Sequence, residues 1–415
     1  MDETNNKNVK KLILCVISVL LFIGLTICFV IAYNNTKSSD ATTNNEVTNN
    51  KSNTNINTSS SSNKSDSKNL NITAGGSYDL SGEYESITVN TNEEVTLNLN
   101  DATIMNANGP AINIEKAESV TIVLSGTNNV TAEATEDLDG AIYSKADLVF
   151  EGTGSIEVKS NYDGIVSKDT LVIKNGTYTI TSSDDGIIGK DSVEILDGTF
   201  TINAGGDGIK ASNDEDIELG YVTITGGTFN ITAKSDGIQA ITKATISGGT
   251  FNITALEGIE ATYIKIDNGT INISATDDGI NASQKSNIGT PTVEINDGNI
   301  TIKMGQGDTD GVDSNGNIYI NGGTVDITGN SPFDYDGEGK LNGGTLTVNG
   351  TQTTTLTNQM MGGGMKGGKN REMQQNGNMP EQMEPNGDMQ MNGGQQIDPN
   401  ERMQNGEGMQ GKRRR

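Results

Sequence analysis

Asp163-Gly164-Ile165 returns as Asp185-Gly186-Ile187, and the triplet opens again at Asp207, Asp236 and Asp278. Taken as a marker, the Asp-Gly pair falls at Asp139, Asp163, Asp185, Asp207, Asp236, Asp278, Asp310 and Asp336, with Glu257 substituting once. Successive spacings are 24, 22, 22, 29, 21, 21, 32 and 26 residues. A period near 22 with two long exceptions is one structural unit copied many times, with loops inserted into two copies. The insertions fall around Ser212–Gly220 and across Ser283–Thr309. Such a chain does not collapse around one centre. It stacks.

Inside each unit the pattern has period 2, which reads as strand. Leu171, Val193, Val222, Ala244, Ile264, Val293 and Ile318 share one register, and Ile173, Ile195, Ile224, Ile246, Ile266, Ile295 and Ile320 share another. Tyr178, Phe200, Phe229, Phe251, Ile271, Ile300, Val325 and Leu346 make a third apolar column. Ile165, Ile187, Ile209, Ile238, Ile259, Ile280 and Val312 make a fourth. Identical positions stacked coil upon coil are what a parallel β-helix provides. The expected fold class is therefore all-β, a right-handed parallel β-helix of about 22 residues per coil, its hand set by the rule for parallel crossovers. About 11 coils at ~4.8 Å each give a rod roughly 50 Å long. Recurrent glycines are expected to turn the corners through positive φ.

Only 32% of the 415 residues are hydrophobic and 4% aromatic, which suits a thin repetitive core better than a compact helical enzyme. Histidine is absent, so any metal must be held by oxygen or sulfur. Both cysteines, Cys15 and Cys28, lie in the apolar run Leu12–Ala32, which is long enough to span a bilayer. Lys7, Lys10 and Lys11 precede it, so residues 1–11 are expected in the cytoplasm and 12–32 as a transmembrane anchor. A cleavable signal ending at Ala32 is the rival reading. Residues 33–70, rich in Asn, Ser and Thr, read as a disordered spacer, and the Met-, Gly- and Gln-rich residues 351–415 as a disordered tail. Thioethers in that tail could hold Cu(I), although a weakly interacting tail is the simpler reading. The β-helix domain is assigned to 71–350, and a cell membrane location with this domain outside follows.

That domain holds 42 acidic residues against 13 lysines and no arginine, a net of −29. No nucleic-acid partner is expected of so acidic a surface. Aspartate before glycine is a good turn residue, but asparagine and serine would serve there too, and the slot stays acidic. Carboxylates stacked ~4.8 Å apart repel by roughly 1 kcal/mol in water, and more where water is scarce. Calcium, which takes six to eight oxygen ligands, is the expected counterion. Asp139, Asp163, Asp184, Asp185, Asp207, Asp236, Asp277, Asp278 and Asp310 are its candidate ligands, the column being predicted to face outward at one corner of the coil. The run Asp236–Ala255 (DGIQAITKATISGGTFNITA) resembles the calcium-containing β-helix proteins of clostridia that bind cellulose and pectate. The resemblance covers about Ile72–Val348 and implies extracellular polysaccharide binding aided by calcium, without catalysis.

On the residues themselves, the aromatic column alternates with polar residues and is expected in the core. Thr177, Thr179, Thr199, Thr201, Thr228, Asn230, Thr250 and Asn252 beside it form a flat face of hydroxyls and amides, the candidate glycan-binding surface. An ordinary solvent face and, remotely, an ice-binding ladder are the alternatives. A pectate lyase would need a strong base, and only lysines such as Lys210, Lys234 and Lys243 could supply one. A hydrolase needs a carboxylate pair at fixed separation, whereas these carboxylates follow the repeat. The expectation is a non-catalytic polysaccharide binder, with a structural wall protein as alternative and a lyase-like enzyme as a lesser one. Oligomeric state is left open.

Overall fold

The computed structural model describes residues 68–306 and 309–358. Strands run from Asn69–Ile72 to Thr351–Thr353, and no helix occurs among the described residues. The expected anchor, nearly all of the spacer and most of the tail lie outside them.

From the third coil on, each coil contributes three strands, because glycines and Asn-Gly or Asp-Gly pairs interrupt the apolar alternation twice per repeat. In the first two coils one long strand takes the place of the second and third. The first strand carries the Asp-Gly-Ile marker and joins a twelve-stranded sheet in which every coil pairs with the next. The second and third strands build two further faces. These count as one sheet because the long strand Val95–Asn106 belongs to both, pairing through its first half with Ser119–Ser125 and through its second with Thr127–Ala132. Pairings are parallel until the final return strand. The described residues form a parallel β-solenoid of twelve coils, one more than the sequence suggests.

All four apolar columns are real ladders. Tyr178 pairs with Phe200, Phe200 with Phe229, Phe229 with Phe251 and Phe251 with Ile271. Their rings are buried and stacked, with centroids 4.9, 4.7 and 4.5 Å apart down the column. The threonines between them point to solvent. Thr228→Ala should accordingly move stability by less than ~0.5 kcal/mol in a denaturant melt.

The marker glycines do not turn a corner, contrary to the sequence expectation. A Cβ on Gly186 would lie 2.6 Å from the Gly208 carbonyl oxygen and 2.7 Å from Ile202 Cγ2. Glycine is needed there because the next coil's backbone passes too close for any side chain. Positive φ recurs instead at the corner before the aromatic strand, as at Gly227 (φ +105°).

Two boundaries and one marker position also differ from expectation. Asn69 and Leu70, assigned to the spacer, pair in strand with Ser86 and Ile87. Thr351–Thr353, assigned to the tail, turns back antiparallel on Thr345–Val348. Asn349 and Gly350 link them with φ of 50° and 74°, the two left-handed residues of a tight hairpin turn. Asp336 is not a member of the marker column, because Ser331 takes the place opposite Asp310.

Candidate functional site

The marker aspartates do not face outward into water. Asp163, Asp185, Asp207 and Asp236 are only 5%, 7%, 3% and 4% exposed. One carboxylate oxygen of each of the first three is turned along the rod toward the next coil. Asp163 Oδ1 accepts from the Asp185 N–H at 2.8 Å, Asp185 Oδ1 from Asp207 at 2.6 Å, and Asp207 Oδ1 from Asp236 at 2.9 Å. Asp278 Oδ1 accepts from Asp310 in the same way at 3.2 Å. A short side chain with a free acceptor is what this backbone donor requires. The longer Glu257 breaks the ladder, its amide donating weakly to the Ser235 carbonyl instead.

The second carboxylate oxygens form a buried acidic seam, and their partners differ from coil to coil. Lys210 Nζ bridges Asp185 and Asp207 at 2.9 and 2.8 Å. Lys168 pairs with Asp139, a half-buried residue one step out of register because Gly140, not Asp139, stands opposite Asp163. Lys285 pairs with Glu260, and for the rest acids gather on acids. Oxygens of Asp163, Asp184 and Asp185 lie within 4.8 Å of one another, as do those of Asp236, Glu257 and Glu260, and those of Asp310, Asp313 and Asp334. Asp163 and Asp184 make no ion pair among the described residues. Asp277 is exposed and joins no group.

Burial and the neighbouring acids hold these groups protonated far above the usual carboxylate range. Burial, with Asp185, Asp139 and Asp184 adding to it, raises Asp163 to about 7. Burial with Glu260 and Asp236 raises Glu257 to about 8. Burial with Asp278, Asp310 and Asp334 raises Asp313 to about 7, and Asp278 itself stands at about 6 for the same kind of reason. A buried amide completes the arrangement. Asn281 donates Nδ2 to Glu257 Oε2 at 3.0 Å, while its Oδ1 meets no donor among the described residues. In register it stands between Glu260 and Asp313, so a lone carbonyl oxygen sits between two acid groups. Carboxylates joined by an uncommitted carbonyl are the donor set of hard cations.

Glu260, Asp313 and Asp334 were not singled out by the repeat. Their signal was present three residues after the marker, where Val166, Ile188, Lys210, Gln239, Glu260, Asn281 and Asp313 form the outward column of the first face. That column turns from apolar to polar at Lys210. Glycine and isoleucine dominate the marker and hid it.

The residues of the candidate glycan face stand in two columns. Thr177, Thr199, Thr228 and Thr250 stand in one exposed column, and Thr179, Thr201, Asn230 and Asn252 in the next. Asn252 Nδ2 donates to Asn230 Oδ1 at 3.0 Å, and Asn272 Nδ2 to Asn252 Oδ1 at 3.1 Å. Asn252, in the middle of the chain, is held on both sides with one N–H and one lone pair left over.

A model of the family described as carbohydrate-binding domain-containing protein matches residues 65–311, from the first coil through the third acid group's Asp310. The chain belongs to this carbohydrate-binding domain-containing family. Among solved structures it is similar to a polysaccharide lyase-like protein from C. thermocellum, determined as a gadolinium derivative. Identity is 31%, over 50% of this chain and 85% of that one, with a TM-score of 0.41. No curated protein matches.

Proposed function

We propose that the chain is a non-catalytic polysaccharide-binding protein of the bacterial cell surface, and that calcium held in its acidic seam assists binding. The observation that carries the calcium reading is the seam itself. Three groups of carboxylates and the Asn281 carbonyl converge there with one lysine on each of two groups, Lys210 on Asp185 and Lys285 on Glu260, so acids outnumber cations in the seam. Asp163, Asp184 and Asp185 would hold one ion, Asp236, Glu257 and Glu260 a second, and Asp310, Asp313 and Asp334 a third. Calcium there would neutralise like charges between coils and offer open positions to a sugar carboxylate. The surface location rests on the Lys-flanked apolar run at residues 12–32.

The non-catalytic reading rests on two features. Carboxylates follow the coil period, whereas a catalytic pair is singular. Lys210, which lies in the seam itself, is no base: burial pulls its pKa down, but Asp207 and Asp185 push it above the ordinary lysine value.

Retention of the full-length chain on polygalacturonate, with millimolar calcium and with chelator, tests the proposal. Binding in calcium and release in chelator is expected, because carboxylate would otherwise meet carboxylate. Equal retention in both removes calcium from the reading, and no retention in either removes the acidic glycan.

A further inference from the structure

The middle face of the solenoid presents a surface of a different kind. Its outward positions are mostly small hydroxyl-bearing or charged residues, but two coils apart they carry Tyr221 and Tyr263. Lys243 occupies the coil between, in the register fixed by Val222 against Ala244 and by Lys243 against Tyr263. At ~4.8 Å per coil the two tyrosines stand ~10 Å apart along the rod.

Both phenols are tied down. Tyr221 Oη donates to Glu194 Oε1 at 2.9 Å, on the coil before, and Tyr263 Oη donates to Glu294, on the coil after. Glu194 and Glu294 each lie one outward position further along the strand, opposite Thr223 and Lys265. A side chain that reaches such a diagonal neighbour must lie along the sheet rather than stand off it. The rings are therefore half-buried and fixed in place before any ligand arrives. Lys243 is exposed, makes no ion pair among the described residues, and places Nζ over the Tyr263 ring at 5.5 Å from its centroid.

The loops at 212–220 and 283–291 open at one corner of the coil, directly before this face. One leads into Tyr221, and the other follows the Tyr263 coil. Corner threonines hold them: Thr242 Oγ1 donates to the Leu219 carbonyl at 2.6 Å, and Thr262 Oγ1 accepts the Lys285 and Ser286 amides at 3.1 and 2.9 Å. Each loop exposes an isoleucine, Ile217 at 56% and Ile288 at 37%. The tyrosine column is thus rimmed along one edge by anchored loops with apolar tips.

The chemistry selects the occupant. Laid-down phenol rings stack on the C–H faces of sugars, and the hydroxyls of Thr223 and Thr245 stand beside them at the next outward position. The acids nearby are already engaged, Glu194 and Glu294 by the tyrosines and Asp267 by Lys265 at 2.8 Å. A chain of net charge −26 repels a polyanion where no cation intervenes. An extended β-linked glycan advances per sugar by nearly one strand spacing, so alternate sugars fall on the two rings. We infer that the Tyr221–Lys243–Tyr263 column is a calcium-independent subsite for a neutral, extended β-linked glycan lying along the rod beside the two loops. The inference rests on the family's carbohydrate binding, and not on the acidic seam.

Titration of the full-length chain with cellohexaose in chelator, followed by calorimetry, tests it. Binding without calcium is expected. Tyr221→Ala and Tyr263→Ala should each weaken it roughly tenfold, the worth of one stacked ring, and the double variant should abolish it. Tyr263→Phe keeps the ring and should stay within about threefold of wild type, which guards against a variant that merely misfolds. Calcium-dependent retention on polygalacturonate should be unchanged in all of them. No cellohexaose binding by the wild type overturns the inference, and so does binding that survives the double variant, a result that would leave carbohydrate binding itself standing elsewhere on the solenoid. Loss of polygalacturonate rather than cellohexaose in the double variant also overturns it, by assigning the tyrosines to the seam's ligand.

Discussion

Chelation should lower the melting temperature of the solenoid, and the drop should be larger at pH 8 than at pH 5. In the folded state Asp163 and Asp313 titrate at about 7, Glu257 at about 8 and Asp278 at about 6. Unfolded carboxylates titrate near ~4. Between those values the folded chain keeps protons that the unfolded chain has released. Stability from these groups is therefore complete below ~4 and is lost as pH rises through about 6 to 8. In chelator, then, the melt should fall with rising pH. Calcium acts in the opposite sense, because its ligands must be deprotonated and because it binds the folded state only. A hundredfold excess over Kd adds ~2.7 kcal/mol per site, so occupation of several sites would outweigh any single side-chain substitution. Asp163→Asn separates the two roles of that residue. Its Oδ1 can still accept the Asp185 N–H, but the buried charge is gone. In chelator at pH 8 the variant should melt above wild type, and it should gain less from calcium. A wild-type melt indifferent to calcium and chelator at both pH values would leave the seam as a hydrogen-bond ladder only.

The core was legible because a solenoid repeats its inward positions in sequence as well as in space. Ile173, Ile195 and Ile224 stand at matching places in successive repeats and pair directly in the structure. The seam was legible in part. Asp163 and Asp185 announce themselves by period, but alternation says only which side of a strand a residue leaves from. It does not reveal that a carboxylate will bend along the rod to take the next coil's N–H and so be buried. Nor does it show that Glu260 and Asp313, three residues further on, return to the same acids from the other side. The Tyr221–Tyr263 column escaped for a different reason. It rests on two residues in coils that flank insertions, and what fixes the rings is a diagonal contact between coils, which a one-dimensional alignment of repeats does not display. The hairpin at Asn349-Gly350 was readable from that dipeptide alone, but it was overshadowed by the composition of the residues beyond.

Phe229→Ala should be the most damaging single truncation in the aromatic column. Phe229 is fully buried between Phe200 and Phe251, with ring planes within 2° of each on either side. Its neighbours are themselves held from outside, Phe200 by Tyr178 at 4.9 Å and Tyr178 by the edge of Phe150 at 5.9 Å. Removing a buried phenyl costs about 3–5 kcal/mol, and here two ring contacts worth ~0.5–1.5 kcal/mol each are part of the loss. The strand spacing fixes where Phe200 and Phe251 sit, so they cannot close on the gap without pulling two coils out of register. Truncating Phe251 should cost less, since its other neighbour is the aliphatic Ile271, not a second ring. Denaturant melts of Phe229→Ala, Phe251→Ala and Thr228→Ala should rank in that order of damage, with the last near wild type. A Phe229→Ala melt no lower than that of Phe251→Ala would show that the stack adds nothing beyond burial, and that the column stands on its aliphatic packing alone.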